Sequence, residues 1–277
     1  MMQAEAKSDV SAKLFDTRSI LFLPASNPRA IAKARESAAD LVVLDLEDAV
    51  KPGDKTEARA AAVDAVTSDW RMPVAIRING VGTEWHSLDL DAVARSKTDV
   101  AVVPRAASAH LVREVREAIG KPLLAMIETA AGVLAAPAIA HEAAALIAGT
   151  NDLAADLRLP PGAGRVPLQM ALQTIVVAAR AAGIAAFDGV FNRLTDLNGF
   201  EEEAAEGRRL GFDGKSLIHP DQIVPCNRVF GPSKAEVEQA RRLVDAFSGG
   251  AERFEDQMIE RMHVEAARRT LARSGQA

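Results

Sequence analysis

The sequence predicts an α/β fold, a closed parallel (β/α)8 barrel followed by a C-terminal helical lid or extension. Three observations carry this expectation. Eight short runs rich in Val, Ile and Leu recur along the 277 residues. Each run is continuously apolar instead of alternating, which is the pattern of strands buried on both faces. Ala-rich stretches of helix length separate most of the runs, and regular alternation of strand and helix produces a parallel sheet. Eight such strands within about 200 residues favour closure into a barrel over an open, doubly wound sheet.

Residues Met1–Asp16 alternate polar and small side chains, without a basic stretch leading into an apolar one, so they read as an N-terminal tail and not as a signal peptide. The first strand is Ser19–Leu23, and Leu23-Pro24-Ala25-Ser26-Asn27 follows where a dinucleotide fold would carry Gly-x-Gly-x-x-Gly. A helix over Pro28–Ala38 leads to the second strand, Leu41–Leu44, and a helix over Thr56–Val66 leads to the third, Val74–Ile78. The fourth strand, Val100–Val103, is followed by a helix over Ser108–Ala118 and by the fifth strand, Leu123–Ile127. Strand six, Leu146–Ala148, precedes a helix over Leu168–Ala182; strand seven, Ala185–Phe187, precedes one over Glu201–Leu210; strand eight is Ser216–Ile218. Asp221–Phe230 reads as the closing helix, which sets the barrel at residues 17–230. Ser233 then caps a helix, with Glu236 three residues on, that ends near Phe247. Ser248-Gly249-Gly250 reads as a flexible break and Met258–Arg273 as a last amphipathic helix, so residues 231–277 form the expected lid.

Composition narrows the function. At 48% apolar and 26% charged residues the chain has the make-up of a globular protein able to bury a large core. A net charge of −5, 4% aromatic residues and no tyrosine argue against nucleic acid as a partner, which calls for a basic face or stacking platforms. No uninterrupted apolar stretch reaches the 18 or so residues of a membrane span; the most apolar long stretch, Pro122 to Gly149, is broken by Glu128, Pro137, His141 and Glu142. The single cysteine, Cys226, excludes an intrachain disulfide framework and suits a reducing compartment, so the cytoplasm is the expected location.

In this fold the ligand-facing groups come from the C-terminal ends of the strands. Those ends are acidic here. Strand two runs into Asp45, Glu47 and Asp48, strand three carries Arg77 and Asn79, strand five ends in Glu128, and strand six leads through Gly149-Thr150-Asn151 to Asp152. Carboxylates converging on one rim repel each other unless a cation or protons neutralise them. Hard oxygen donors without a nearby His or Cys point to Mg2+ or Mn2+ instead of zinc, with Glu128 and Asp152 as ligands. Strand alternation cannot turn all of Asp45, Glu47 and Asp48 inward, so one of them is expected to cap the following loop. Arg77, late in an apolar strand, fits a clamp for a substrate carboxylate or a salt bridge to the rim acids, and both hold if the ion pair forms without substrate. His86 and His219 are loop histidines with no assigned role. Lys215 lies at the start of strand eight, which disfavours a Schiff base.

At these residues the chain resembles the citrate lyase β-subunit-like branch of the HpcH/HpaI aldolase superfamily, whose relatives include malyl-CoA and citramalyl-CoA lyases. The resemblance rests on motifs in order over most of the chain. They are Arg18-Ser19-Ile20-Leu21-Phe22-Leu23-Pro24, Leu44-Asp45-Leu46-Glu47-Asp48-Ala49-Val50, Lys55 and Arg59, and Ile76-Arg77-Ile78-Asn79. Further on come Met126-Ile127-Glu128-Thr129, Gly149-Thr150-Asn151-Asp152-Leu153, Phe187-Asp188-Gly189-Val190, Gly211-Phe212-Asp213-Gly214-Lys215, Ile218-His219-Pro220 and Phe230-Gly231-Pro232-Ser233. The resemblance implies a TIM barrel with a C-terminal lid, assembled as a homotrimer or hexamer. It implies a Mg2+-dependent carbon–carbon lyase that splits a 3-hydroxy-3-carboxy-acyl thioester into an acyl-CoA and a 2-oxo acid such as oxaloacetate, pyruvate or glyoxylate, or runs the reverse condensation.

Carried over by position, Glu128 and Asp152 hold Mg2+, Glu47 and Asp48 steady its waters with Asp45 beside them, Arg77 grips the 2-oxo acid, and Arg29 contacts CoA phosphates. Catalysis is expected of Arg77, Glu47 and Glu260, the last as the counterpart of a family aspartate that reaches a neighbouring subunit's site. The family's Pro-Gly after strand one is Pro24-Ala25 here, and its Gly-Lys-Met-Ile-Asp-x-Pro is Asp256-Gln257-Met258-Ile259-Glu260-Arg261-Met262. Three other readings compete. A class II aldolase on free 2-oxo acids is disfavoured because Leu46-Glu47-Asp48-Ala49 lacks that branch's early-loop histidine. The isocitrate lyase branch is disfavoured because Cys226 is not followed by Gly-His. A citrate lyase β-type assembly subunit acting on an acyl carrier protein is the reading from a different class.

Overall fold

The computed structural model describes residues 13–274. The described chain divides into two compact units, one ending at Cys226 and one beginning at Asn227. The sequence boundary at 230/231 lies four residues later, because Gly231-Pro232 punctuates the sequence whereas the division falls inside a helix, α9 (Ile223–Phe230).

The first unit is a closed barrel of eight parallel strands: β1 (Ser19–Pro24), β2 (Leu41–Asp45), β3 (Val74–Arg77), β4 (Val100–Val103), β5 (Leu123–Ile127), β6 (Ala145–Ala148), β7 (Ala185–Asp188) and β8 (Gly214–Leu217). Each strand pairs with the next, and β1 closes the ring on β8. All but β1 are buried along their whole length, which accounts for the continuous apolar runs in place of an alternating pattern. The barrel interior is filled by Ile20, Val43, Val102, Leu124, Ile147 and Phe187 among others. Above this plug the same inward positions turn polar: Asp45 and Arg77 are register partners at the ends of β2 and β3.

The connecting helices are α1 (Pro28–Arg35), α2 (Lys55–Ala65), α3 (His86–Arg95), α4 (Ala109–Ile119), α5 (Ala130–Ala140), α6 (Thr150–Asp156), α7 (Gln169–Ala182) and α8 (Leu197–Leu210). Capping residues set several starts: Asn27, Ser108, Thr129 and Asp196 each accept a backbone N–H of the first turn through the side chain. Three of these helices, α3, α5 and α6, have no counterpart in the sequence reading. In α5 the reason is physical: AAGVLAAPAIA is apolar on nearly every side and carries Pro137 inside it, so it shows neither the amphipathic period nor a clean stop.

The N-terminal segment also differs from a plain tail. Lys13–Asp16 forms a helical turn, and Leu14, 2% exposed, joins the core cluster of the barrel interior with Phe15 packed against it. Residues 1–12 lie outside the described residues. The second unit contains α10 (Lys234–Ala246), a hairpin of β9 (Glu252–Phe254) and β10 (Gln257–Ile259), and α11 (Arg261–Arg273). Ser233 and Glu236 form the anticipated capping box of α10. Val237 and Ala240 of α10 pack on Ala267 and Leu271 of α11. The stretch read as a flexible break is tied down, since Ser248 N–H donates to Glu252 Oε1 at 2.7 Å and Ser248 Oγ bonds Oε2 at 2.9 Å. The last helix starts at Arg261, three residues later than expected, because Met258 and Ile259 belong to β10. No described helix is long and apolar enough to cross a membrane.

Leu14→Ala should lower the unfolding free energy by about 2–4 kcal/mol in a urea titration, as for other buried leucines truncated to alanine. A loss below about 0.5 kcal/mol, the range of exposed-site substitutions, would return residues 13–16 to the tail.

Candidate active site

The C-terminal ends of the strands surround a cavity of about 370 Å³ whose lining includes Asp45, Asp48, Arg77, Glu128 and Asp152. The centre of its polar wall is Arg77, 8% exposed. A buried guanidinium needs compensation, and the adjacent strand supplies it: Nε and Nη2 donate to the two Asp45 oxygens at 2.7 and 2.6 Å. Nη1 lies 2.9 Å from Glu47 Oε2 as an ion pair without hydrogen-bond alignment, and the guanidinium lies 5.4 Å from the centre of the Phe22 ring. Burial weakens the guanidinium's hold on its proton, but the charge and hydrogen bonds of Asp45 outweigh it, so Arg77 stays firmly charged. Of its five N–H donors Asp45 engages two, while Nη1 faces Glu47 as an ion pair and approaches Met126 Sδ at 3.6 Å. The fork at Nε and Nη2 is therefore closed to a substrate carboxylate, and the Nη1–Nη2 edge is the one left to meet it.

Asp45 is the acid that caps its loop. Besides Arg77 it accepts the N–H groups of Glu47 at 2.8 Å and Ala49 at 3.0 Å. Asp45 accordingly serves Arg77 and the backbone. The loop is held from its other side by Lys55, 5% exposed, whose Nζ donates to Leu46 O, Glu47 O and Asn79 Oδ1 at 2.6–2.7 Å and sits 5.0 Å from the Trp85 ring centre. Asn79 donates through its backbone N–H and Nδ2 to the fully buried Asp89, which also accepts from Arg59 Nε at 2.6 Å. His86 Nδ1 is 2.8 Å from Asn79 O, a structural contact. Lys55, Arg59 and Asp89 thus position the rim without facing the cavity.

Glu128 follows β5 and is 1% exposed. Its Oε1 accepts the Arg105 N–H at 2.6 Å, which Arg105 presents from a left-handed backbone (φ 47°), a conformation uncommon outside glycine. Its Oε2 is buried and has no hydrogen-bond partner. A Cβ on Gly149 would overlap Glu128 Cβ and Oε2, so this turn takes glycine because the carboxylate occupies the space. Asp152, half-buried in the first turn of α6, stands after the neighbouring strand. Burial pushes the Glu128 carboxyl up to about 7 against the pull of the Arg105 bond, and Asp152 adds to the rise. Asp152 is itself raised, by burial and then by Asp48. Glu47 is pushed up to about 8, by burial first, with Arg77 opposing and Asp48 adding. These acids share an excess of negative charge that a cation would neutralise.

The donor set fits Mg2+. Among the described residues no group of three or more His, Cys, Asp or Glu side chains makes a closed cage. A two-carboxylate site is nonetheless the pattern for an ion that keeps several waters and binds substrate oxygens, and the orphaned Glu128 Oε2 offers it a ligand. The structure thus gathers Asp45, Asp48, Arg77, Glu128 and Asp152 around one cavity, while Glu47 is not among the lining residues and meets Arg77 from beside it. Arg29 is exposed on the first turn of α1 and is not among the cavity-lining residues. Glu260 belongs to the second unit, exposed at the N-cap of α11, its N–H donating to His263 Nδ1 at 2.9 Å. Lys215 is turned away from Schiff-base chemistry: fully buried, it donates to Asp188 Oδ2 at 3.1 Å and Glu203 Oε1 at 2.8 Å. Sequence reasoning missed the Arg105 N–H and Asp89, for which one sequence carries no signal, and the steric reason for Gly149, which stood inside a recognised motif.

Comparison with known proteins adds the following. The family described as HpcH/HpaI aldolase/citrate lyase matches residues 18–220, and one described as a carbon–carbon bond lyase of the TIM-barrel fold matches residues 166–276. A (3S)-malyl-CoA thioesterase of Cereibacter sphaeroides is 41% identical over 268 residues, covering 93% of this chain and 94% of the relative. The citrate lyase subunit beta of Escherichia coli K12 is 33% identical and covers 93% of each chain. Among solved structures, CitE from Mycobacterium tuberculosis in complex with magnesium, acetoacetate and coenzyme A aligns with a TM-score of 0.82 at 34% identity, covering 94% of this chain and 98% of that one.

Gly149→Ala should displace the Glu128 carboxylate while leaving the barrel folded, and Mg2+ affinity measured by calorimetry should fall roughly 10- to 100-fold, the usual cost of disturbing a ligand's support. Unchanged affinity would remove Glu128 from the cation site.

Proposed function

Because the chain belongs to the HpcH/HpaI aldolase/citrate lyase family, we propose that it is a Mg2+-dependent carbon–carbon lyase on a CoA thioester. Its substrate is a 3-hydroxy-3-carboxy-acyl thioester of the malyl-, citramalyl- or citryl-CoA type, cleaved to an acyl-CoA and a 2-oxo acid or formed from them. The observation that carries the reading is the pairing, across one cavity, of a buried guanidinium with two carboxylates on neighbouring strand ends, one bearing an orphaned oxygen. Support comes from CitE of Mycobacterium tuberculosis, solved with magnesium and oxaloacetate and with magnesium and pyruvate.

Glu128 and Asp152 would hold the ion. Bound there, Mg2+ supplies Lewis-acid polarisation of the substrate's oxygens. Arg77 binds the carboxylate of the 2-oxo acid half through its Nη1–Nη2 edge and so orients the bond to be broken, while Asp45 keeps the guanidinium from swinging. Glu47, whose carboxyl burial pushes up to about 8, stands 2.9 Å from Arg77 Nη1 and steadies the guanidinium edge that meets the substrate. Asp48, at the cavity wall, adds the charge that favours a cation. Glu260 exchanges the proton of the acyl group, delivered by a neighbouring subunit of a homotrimer or hexamer, and Arg29 meets CoA phosphates at the start of α1, where the helix N-terminus also favours anions. Residues 231–277 form the lid.

The relatives named (3S)-malyl-CoA thioesterase favour a second reading on the same site, hydrolysis of the thioester. Products separate the two: a lyase releases a 2-oxo acid, a thioesterase the intact hydroxy acid and free CoA.

Purified protein with Mg2+ should release a 2-oxo acid from at least one of malyl-, citramalyl- and citryl-CoA, and Arg77→Lys should lower kcat/KM about 100-fold or more, since an ammonium cannot reproduce a planar guanidinium held by Asp45. A near-normal rate would reduce Arg77 to a structural ion pair. Glu260→Gln should abolish turnover of the thioester and leave 2-oxo acid and Mg2+ binding intact, measured by calorimetry. Normal turnover would move proton exchange to the rim acids.

A further inference from the structure

On the wall of the cavity away from Arg77 stands a polar group that the reaction as described does not use. Ser216 of β8 is 2% exposed and lines the cavity, and its Oγ is buried without a hydrogen-bond partner. Strand alternation explains its direction. Lys215 beside it is turned outward to Asp188 and to Glu203 of α8, so Ser216 faces the barrel interior. A buried hydroxyl left unsatisfied is costly, and the cavity's occupant is what can satisfy it.

Its place in the ring says which part of the occupant it meets. Going round the eight strands, β8 stands three from β3, which carries Arg77, and three from β5, which leads into Glu128. Once Arg77 takes the carboxylate of a 2-oxo acid and its oxo oxygen points toward Glu128 and Asp152, one group on C2 remains. That group is hydrogen in glyoxylate, methyl in pyruvate and carboxymethyl in oxaloacetate. It is left the wall of β8 and β1, where Ser216, Ile218 and Phe22 stand. Arg77 is the one cation among the described cavity-lining residues, and Asp45 and Glu47 already engage it, so a second carboxylate meets no free cation and has at most the single Ser216 hydroxyl to offset its lost hydration and the repulsion of Asp48, Glu128 and Asp152. A methyl group finds space but strands the hydroxyl. Hydrogen leaves room for a water that satisfies it.

We propose that Ser216 determines which 2-oxo acid the site takes, favouring glyoxylate, with a water held on the hydroxyl, over pyruvate and oxaloacetate. This rests on the lyase reading, in which a 2-oxo acid occupies the cavity. The test is calorimetric binding of glyoxylate, pyruvate and oxaloacetate to the Mg2+-loaded wild type and to Ser216→Ala. The ratio between acids, compared across the two proteins, cancels their different behaviour in water. In Ser216→Ala the pyruvate-to-glyoxylate affinity ratio should move about tenfold toward pyruvate, with Mg2+ affinity unchanged, because the methyl group no longer strands a hydroxyl. Oxaloacetate should bind more weakly than pyruvate to the wild type. A ratio that moves less than threefold, or toward glyoxylate, overturns the proposal. Oxaloacetate bound as tightly as pyruvate overturns it too. Should Ser216→Ala fail to fold, Ser216→Thr decides: the added methyl should weaken pyruvate about tenfold and leave glyoxylate within threefold, and equal effects on both overturn the assignment. A wild type that binds none of the three acids defeats the lyase reading itself, whereas binding with an unmoved ratio defeats only the role of Ser216.

Discussion

A guanidinium buried at the end of the third strand constrains almost everything around the cavity. Arg77 keeps its charge only because Asp45, its register partner on the neighbouring strand, meets it with two short hydrogen bonds. Removing one partner of such a buried pair typically costs about 3–5 kcal/mol, since the other charge is left uncompensated. That requirement spreads outward. Asp45 also holds the N–H groups of Glu47 and Ala49, Lys55 ties down the same loop from beneath, and Asn79, Asp89 and Arg59 continue the network to α3 and α2. The loop after β2 is thus rigid for an electrostatic reason, and a rigid rim is what a site that orients a planar carboxylate needs.

The second constraint is the charge left over. Arg77 is matched by Asp45 and Glu47, so Asp48, Glu128 and Asp152 add negative charge without a cation among the cavity-lining side chains to balance it. Burial first, and the charge of Asp152 after it, draw the Glu128 carboxyl up to about 7, so protons supply part of the balance. A divalent ion would supply the rest and release those protons. The polar half of the cavity therefore calls for a cation and a carboxylate together, and its other half, with Phe22 and Ile218 beside a lone hydroxyl on Ser216, leaves space for something small and uncharged.

Much of this architecture was legible in the residues. Buried strands such as Leu41–Asp45 and Leu123–Ile127 announce themselves because both faces need apolar side chains, and polar residues stand directly behind them because the chain there emerges at the rim. Elements that lack a period of their own were not legible: α5 is apolar nearly all round, and α3 and α6 follow strand ends where polar site residues mask the helix pattern. Leu14 looked like part of a tail because most of the cluster it joins, Val100, Leu124 and Phe187 among them, lies on strands distant in sequence.

By itself the sequence determined the fold class, the acids and the arginine that gather at the strand ends, and the family, because each depends on residue types in a fixed order along the chain. Only the tertiary structure decided how those charges pair. It showed that Asp45 belongs to Arg77 and to its own loop, that Glu128 keeps one oxygen without a partner while Arg105 N–H holds the other, that Gly149 makes room for that carboxylate, and that Ser216 faces the cavity while Lys215 faces away. Hydrogen bonds, burial and their effect on protonation depend on distances of a few ångström between residues 20 to 200 positions apart, which closure of the barrel sets and residue order does not encode locally.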